Sequence, residues 1–173
     1  MEVGATVSKN GRALPAGQFA AFQVNSLLVG LLARAWFRAD GRKADDAFVA
    51  GMLRDVGYFV LRSQGRDQEV PPEGHALVSA YLLGLWGIPH TVLEPVAFHE
   101  QPERLEHDTL ELVDVLHLVD RIASELQPSP FQFQSSPLDT ERFARLGVTA
   151  ERIEQLRQEA RSLLSEVKAL LAS

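Results

Sequence analysis

The 173-residue sequence has no cysteine, and only two tryptophans, two tyrosines and two methionines. The missing thiols exclude disulfides and thiolate metal sites, and that composition fits a cytoplasmic protein. Lys and Arg number 17 against 23 Asp and Glu, a net charge of −6, and no basic cluster interrupts the acidic balance. Nucleic acid is therefore not an expected partner, because phosphate contacts need a basic face. There is no glycine-rich phosphate loop and no internal repeat. No apolar run reaches the ~18 residues that a membrane helix needs. The opening MEVGATVSKNGRALPAG lacks the apolar segment of a signal peptide, so neither membrane contact nor export is expected. No stretch alternates with the period of a strand. What is there is 46% hydrophobic and 23% charged residues over the length of one domain, enough to bury a core.

The apolar residues recur with helical spacing, which predicts an all-α protein. Residues 1–17 are polar and are expected to be poorly ordered. A helix over Gln18 to Arg38 carries Phe19, Phe22, Leu27, Leu31 and Ala35. Gly41 closes the turn after it, and a second helix starts near Ala44 with Asp45 and Asp46 in its first turn. Its stripe is Phe48, Met52, Val56, Phe59 and Val60, with Gly57 set to bend or break it. Further helices are predicted over Pro72–Trp86, Pro89–Glu100 and Asp108–Leu126, the last with a capping-box start from Asp108 to Glu111. Residues 127–139, with three prolines and three serines, form a loop. Residues 140–173 make a C-terminal extension, a short helix Thr140–Leu146 and a long one from Thr149.

Four ionisable residues fall on these apolar faces. Asp55 lies seven residues after Phe48 and four before Phe59. His75 shares a face with Val78, Leu82 and Trp86. His99 follows Val92 and Val96, and Asp120 borders the stripe of Leu112, Val115, Leu116 and Val119. Taken singly, a histidine in such a place is more often a hydrogen-bonded core residue than a ligand, and an aspartate more often a cap or an arginine's partner. Four on four core-facing helices are costly to bury unless they meet. The economical arrangement is convergence, with a metal or another cation among them. His90 and His107 are read as surface residues, and His117 as exposed, with a place just behind the cluster as the other reading.

These segments resemble a known family. AFVAGMLRDVGYFVL resembles the helix that carries the His-Asp pair of HD-superfamily proteins. HALVSAYLLGLWGIPHTVLEPVAFHEQP resembles the next stretch of the HDOD branch of that superfamily: a histidine-led helix, a Trp-Gly-x-Pro turn and a helix ending in a ligand pair. FQVNSLLVGLLARAW and VLHLVDRIASEL resemble the helices before and after, so the likeness spans residues 19–126. It implies a helical bundle of HD-domain type over 18–126 and a role as a sensory or output module of bacterial signalling. Such modules are often joined to receiver domains or cyclic-di-GMP enzymes, and are related to the HD-GYP phosphodiesterases. A typical HDOD domain has a helical half before this region, where only a short polar segment stands here.

The resemblance also implies a ligand series, and this chain breaks it. Asn25 and Arg54 stand where two histidines are expected. A first metal would use those positions with Asp55 and Asp120; asparagine is a poor ligand, and arginine neither deprotonates nor coordinates. A second would use Asp55, His75, His99 and Glu100, all competent ligands for one divalent ion. Arg54 offers another solution, supplying the positive charge of a metal between Asp55 and Asp120. The sequence therefore predicts a non-catalytic regulatory module that acts through contacts with signalling proteins or receiver-type domains, with room for a small-ligand pocket; no cofactor is expected, and a single divalent metal is the open alternative. The alternative is a residual one-metal phosphohydrolase acting on a nucleotide or cyclic dinucleotide. On the last helix Ile153, Leu156, Ala160, Leu163, Val167 and Leu170 form a heptad seam, expected either to pack on its own bundle or to join two copies.

Overall fold

The computed structural model describes residues 15–66, 71, 73–129 and 138–171. All regular structure among them is helical: α1 (Ala16–Trp36), α2 (Gly41–Leu53), α3 (Val56–Ser63), α4 (Gly74–Leu85), α5 (His90–Phe98), α6 (Leu112–Leu126), α7 (Thr140–Arg145) and α8 (Ala150–Leu171), with one 3-10 turn at Pro102–Arg104. The expected disorder of the N-terminal segment and most of the 127–139 loop fall outside the described residues.

Two helices form the axis of the bundle. α6 buries eleven of its residues, from Leu112 to Ala123, on nearly every side. α1 packs against α2, α6 and α8 and buries Val24, Leu28, Val29, Leu32 and Ala33. The expectation that no segment has membrane length needs correcting here. α1 has 21 residues with a mean hydropathy of 1.4 in its most apolar window, long and apolar enough by composition to cross a membrane. A helix sandwiched between neighbours must be apolar on more than one face, which is why its pattern is so broad.

α2 corrects a second expectation. Its buried face is Ala44, Ala47, Ala50 and Gly51, while Phe48 and Met52 are only half-buried. The cause is close packing on α1: a Cβ on Gly51 would fall 2.6 Å from the Gly30 Cα. Backbones that near leave room only for small side chains. α2 also begins earlier than expected, at Gly41, because Asp40 caps it by accepting from the Lys43 N–H at 3.2 Å. α6 begins later, at Leu112; the capping box is Glu111 with Asp114, three residues beyond the predicted one. Gly87, at φ 76°, ends α4 and lets the Ile88 N–H reach back to the Leu83 carbonyl.

The seam of α8 is spent within the chain. Ile153, Leu156, Ala160 and Val167 are buried, Leu163 is half-buried and only Leu170 is exposed, with α8 lying on α1 and α6.

Candidate functional site

The predicted second helix breaks between Leu53 and Val56, and that break builds the site. Arg54 caps the C-terminus of α2 and Asp55 stands at the N-terminus of α3. In an unbroken helix two successive residues point about 100° apart; here both side chains are buried together. Gly57 holds the break in place. Its N–H donates to Ser79 Oγ at 2.8 Å, and α3 lies so close to α4 that a Cβ there would sit 2.4 Å from the Ser79 nitrogen.

The Arg54 guanidinium is 1% exposed, and each of its three nitrogens has an acceptor. Nε donates to Asp120 Oδ1 at 2.8 Å and Nη1 to the Gly51 carbonyl at 2.7 Å. Nη2 lies 2.6 Å from Asp120 Oδ1 and 3.1 Å from Asp55 Oδ2, and also donates to Asn25 Oδ1. Asn25 turns its amide the other way to donate to the Gln127 carbonyl at 2.9 Å. The two departures from the expected ligand series are therefore one unit: Asn25 supplies the neutral oxygen that the extra N–H of Arg54 requires.

Beside it lies the histidine half. His75 Nε2 donates to Asp55 Oδ1 at 3.0 Å. His99 Nδ1 donates to the Val96 carbonyl at 2.8 Å, which fixes its ring and leaves Nε2 facing inward. That nitrogen is buried and has no hydrogen-bond partner; it lies 3.6 Å from both Asp55 Oδ1 and Glu100 Oε1. Glu100 is anchored through its other oxygen to Arg121 Nη2 at 2.6 Å. One donor atom each from Asp55, His75 and His99 fall within 4.8 Å of one another.

Charge explains the protonation states. Burial alone would raise the Asp55 carboxyl, but the Arg54 guanidinium and the two histidines outweigh it and hold the group well below the usual carboxylate range. Burial likewise opposes the His99 imidazolium, yet Asp55 and Glu100 outweigh it and its pKa is raised. Carboxylates of Asp55, Glu100 and Asp120 face the guanidiniums of Arg54 and Arg121, three against two. A proton or metal ion at His99 Nε2 supplies the missing charge. With the raised value, His99 contributes stability that is full below the free-imidazole value of 6.5 and is lost as pH rises through its folded value. In chelator, the melting temperature is expected to fall as pH rises above about 6.5, and His99→Gln to lose that slope. A melting temperature that climbs over the same range contradicts the assignment.

The metal positions fare differently. The guanidinium lies where Asn25, Asp55 and Asp120 meet, so no ion fits there. The orphaned His99 Nε2 beside two carboxylates does fit one divalent ion, with His75, Asp55 and Glu100 as the other candidates. Asp120, a candidate ligand by sequence, is instead taken up by Arg54.

Sequence reasoning missed Arg121, although it follows Asp120 on an apolar helix. It also placed three side chains wrongly. His117 is not exposed: Nδ1 donates to the His99 carbonyl at 2.6 Å, its ring stacks on Phe143, and burial lowers its pKa. His107 is not a free surface residue either, since Nε2 donates to the buried Asp114 at 2.6 Å, which Arg142 also pairs with. Trp86, expected on the core face with His75, is 63% exposed; Ala76, Ser79 and Leu83 share that face instead.

This is the fold of an HDOD domain. The crystal structure of an HDOD domain protein with unknown function from Geobacter sulfurreducens superposes with a TM-score of 0.63 and 16% sequence identity, over 88% of this chain. This chain spans 61% of the length of that protein. At that identity the likeness is one of fold. No protein-family model matches the sequence, and no curated protein does.

Proposed function

We propose that this chain is a non-catalytic regulatory module of HDOD type that works in the bacterial cytoplasm through contacts with signalling proteins such as receiver-type domains. The observation that carries the reading is the Arg54 guanidinium held by Asn25, Asp55 and Asp120. Two-metal phosphodiester hydrolysis needs a pair of ions to activate water and hold the phosphate. A buried arginine seated among Asn25, Asp55 and Asp120 leaves no place for one of them. The residues here act on each other: they fix α1, α2, α3 and α6 around one polar centre.

A second reading, a residual one-metal phosphohydrolase, is favoured by the unpartnered His99 Nε2 and its neighbours Asp55, His75 and Glu100. A bound ion there would supply Lewis acidity; His75, His99, Asp55 and Glu100 would hold it, and Arg121 would orient Glu100. The deciding experiment is a phosphodiesterase assay on a cyclic dinucleotide and on bis-p-nitrophenyl phosphate with added Mn or Fe, alongside metal analysis of the purified chain. The expected result is no turnover above the metal-only background. Stoichiometric metal with turnover that disappears in His75→Ala would replace the first reading with the second.

A further inference from the structure

The face of α4 turned away from the bundle carries an exposed apolar strip that neither reading of the polar centre uses. Leu77, Tyr81 and Leu85 are 49%, 68% and 66% exposed, and Trp86 beside them is 63% exposed. These four account for most of the exposed large hydrophobic residues among the described residues; the others are Phe19, Leu170 and Leu171. Contiguous exposed apolar surface marks a contact site, and interface centres favour Tyr and Trp while excluding Lys, Glu and Asp.

Two features select the occupant. The first is spacing. Leu77 and Leu85 lie four residues to either side of Tyr81, about 6 Å along the axis in each direction. A two-fold axis perpendicular to α4 at Tyr81 sets Leu77 of one copy against Leu85 of the other and the two tyrosines side by side. A two-fold interface requires that reciprocity: if residue i meets residue j, j must meet i. The second is charge. The chain carries a net −6, so most pairings of one surface with itself oppose like charges. α4, Gly74–Leu85, has no Asp, Glu, Lys or Arg, alone among the helices described. Two acidic copies can meet on this helix without opposing like charges from α4 itself.

We infer that Leu77, Tyr81 and Leu85, with Trp86 at the rim, form the interface of a two-fold symmetric homodimer in which α4 packs antiparallel on α4 of a second copy. This surface replaces the α8 seam, which is buried in its own bundle, and it stands whether or not the polar centre binds metal.

The test is light scattering and sedimentation of the full chain over a range of micromolar concentrations. The expected result is a reversible dimer whose Kd rises about 30-fold or more in Tyr81→Lys, the size of a truncated interface hot spot. The melting temperature of the dispersed variant should stay at that of the wild-type monomer, since Tyr81 lies outside the core. The absence of cysteine gives an independent measurement. A Tyr81→Cys chain should cross-link to itself with a bis-maleimide that spans about 10 Å, the separation of packed helix axes, while Ser165→Cys on α8 should not. A chain that stays monomeric overturns the inference. So does a dimer that Tyr81→Lys leaves intact, or one that cross-links at 165 and not at 81. A monomer that instead sediments with neutral phospholipid vesicles until Tyr81 becomes Lys would assign the strip to a membrane and reject the dimer.

Discussion

Arg54→Ala is expected to destabilise the fold by about 3–5 kcal/mol, the cost of leaving buried carboxylates without their counter-ion. Asp55 and Asp120 both pair with this guanidinium, and both are buried, at 4% and 8% exposure. The loss is larger than that of an exposed pair such as Arg34 with Asp45, for which well under 1 kcal/mol is expected. Arg54→Lys should fall between wild type and alanine. An ammonium keeps the charge but cannot reach Asp120, the Gly51 carbonyl and Asn25 together. The penalty also has a pH signature. The Asp55 pKa is depressed, so its contribution is present above the unfolded value of about 3.9 and is lost only as pH falls through the lower folded value. Without Arg54 the Asp55 carboxylate accepts a proton more readily, so the gap between Arg54→Ala and wild type should be widest near neutral pH and shrink in acid. Urea denaturation at several pH values measures both quantities. A near-neutral effect at pH 7 would show that Arg54 is not the internal cation of this bundle.

Gly57→Ala is the second large effect, and its sign runs against intrinsic propensity. Alanine gains up to about 1 kcal/mol over glycine within a helix. At this position its Cβ would stand 2.4 Å from the Ser79 nitrogen and 2.5 Å from the His75 carbonyl oxygen. Both are backbone atoms of α4, which cannot rotate aside as a side chain can. Forcing a methyl group into a packed core costs about 1–3 kcal/mol, and rigid neighbours place this case at or above the upper end. The shift needed to relieve it would carry His75 away from Asp55, because both are tied to the α3–α4 contact. Ser79→Ala, which removes only one hydrogen bond to the Gly57 N–H, should cost about 1 kcal/mol. Equilibrium denaturation of the two variants separates the effects; a Gly57→Ala chain as stable as wild type would mean that α3 and α4 do not pack this closely.

Much of the architecture was legible because helices leave a local record. Apolar residues at three- and four-residue spacing marked α1, α5, α6 and α8, and Gly87 and Pro89 marked the turn between α4 and α5. The boundaries moved where caps decided them. Asp40 opens α2 at Gly41 rather than near Ala44, and Glu111 with Asp114 opens α6, since each start depends on which carboxylate finds a free N–H. The buried face of α2 does not follow from its large apolar residues, because its closest contact is glycine on glycine. The buried contacts of His107 and His117 are not visible in the sequence, because the loop before α6 brings His107 onto Asp114 of α6, and the end of α5 brings the His99 carbonyl onto His117. Pairings between segments leave no periodic trace in either one.

The sequence by itself determined that the chain is all-α, and that Asp55, His75, His99 and Asp120 lie on core-facing helices where a lone charge is too costly to bury. It also placed Asn25 and Arg54 at the two positions where the expected ligand series breaks. Only the tertiary structure decided that those departures satisfy each other, that Asp120 belongs to Arg54, and that Arg121 holds Glu100 against the two histidines. The physical reason is that a residue type fixes how many hydrogen bonds and charges must be satisfied, while the packing of α1, α2 and α6 fixes which partner lies within reach.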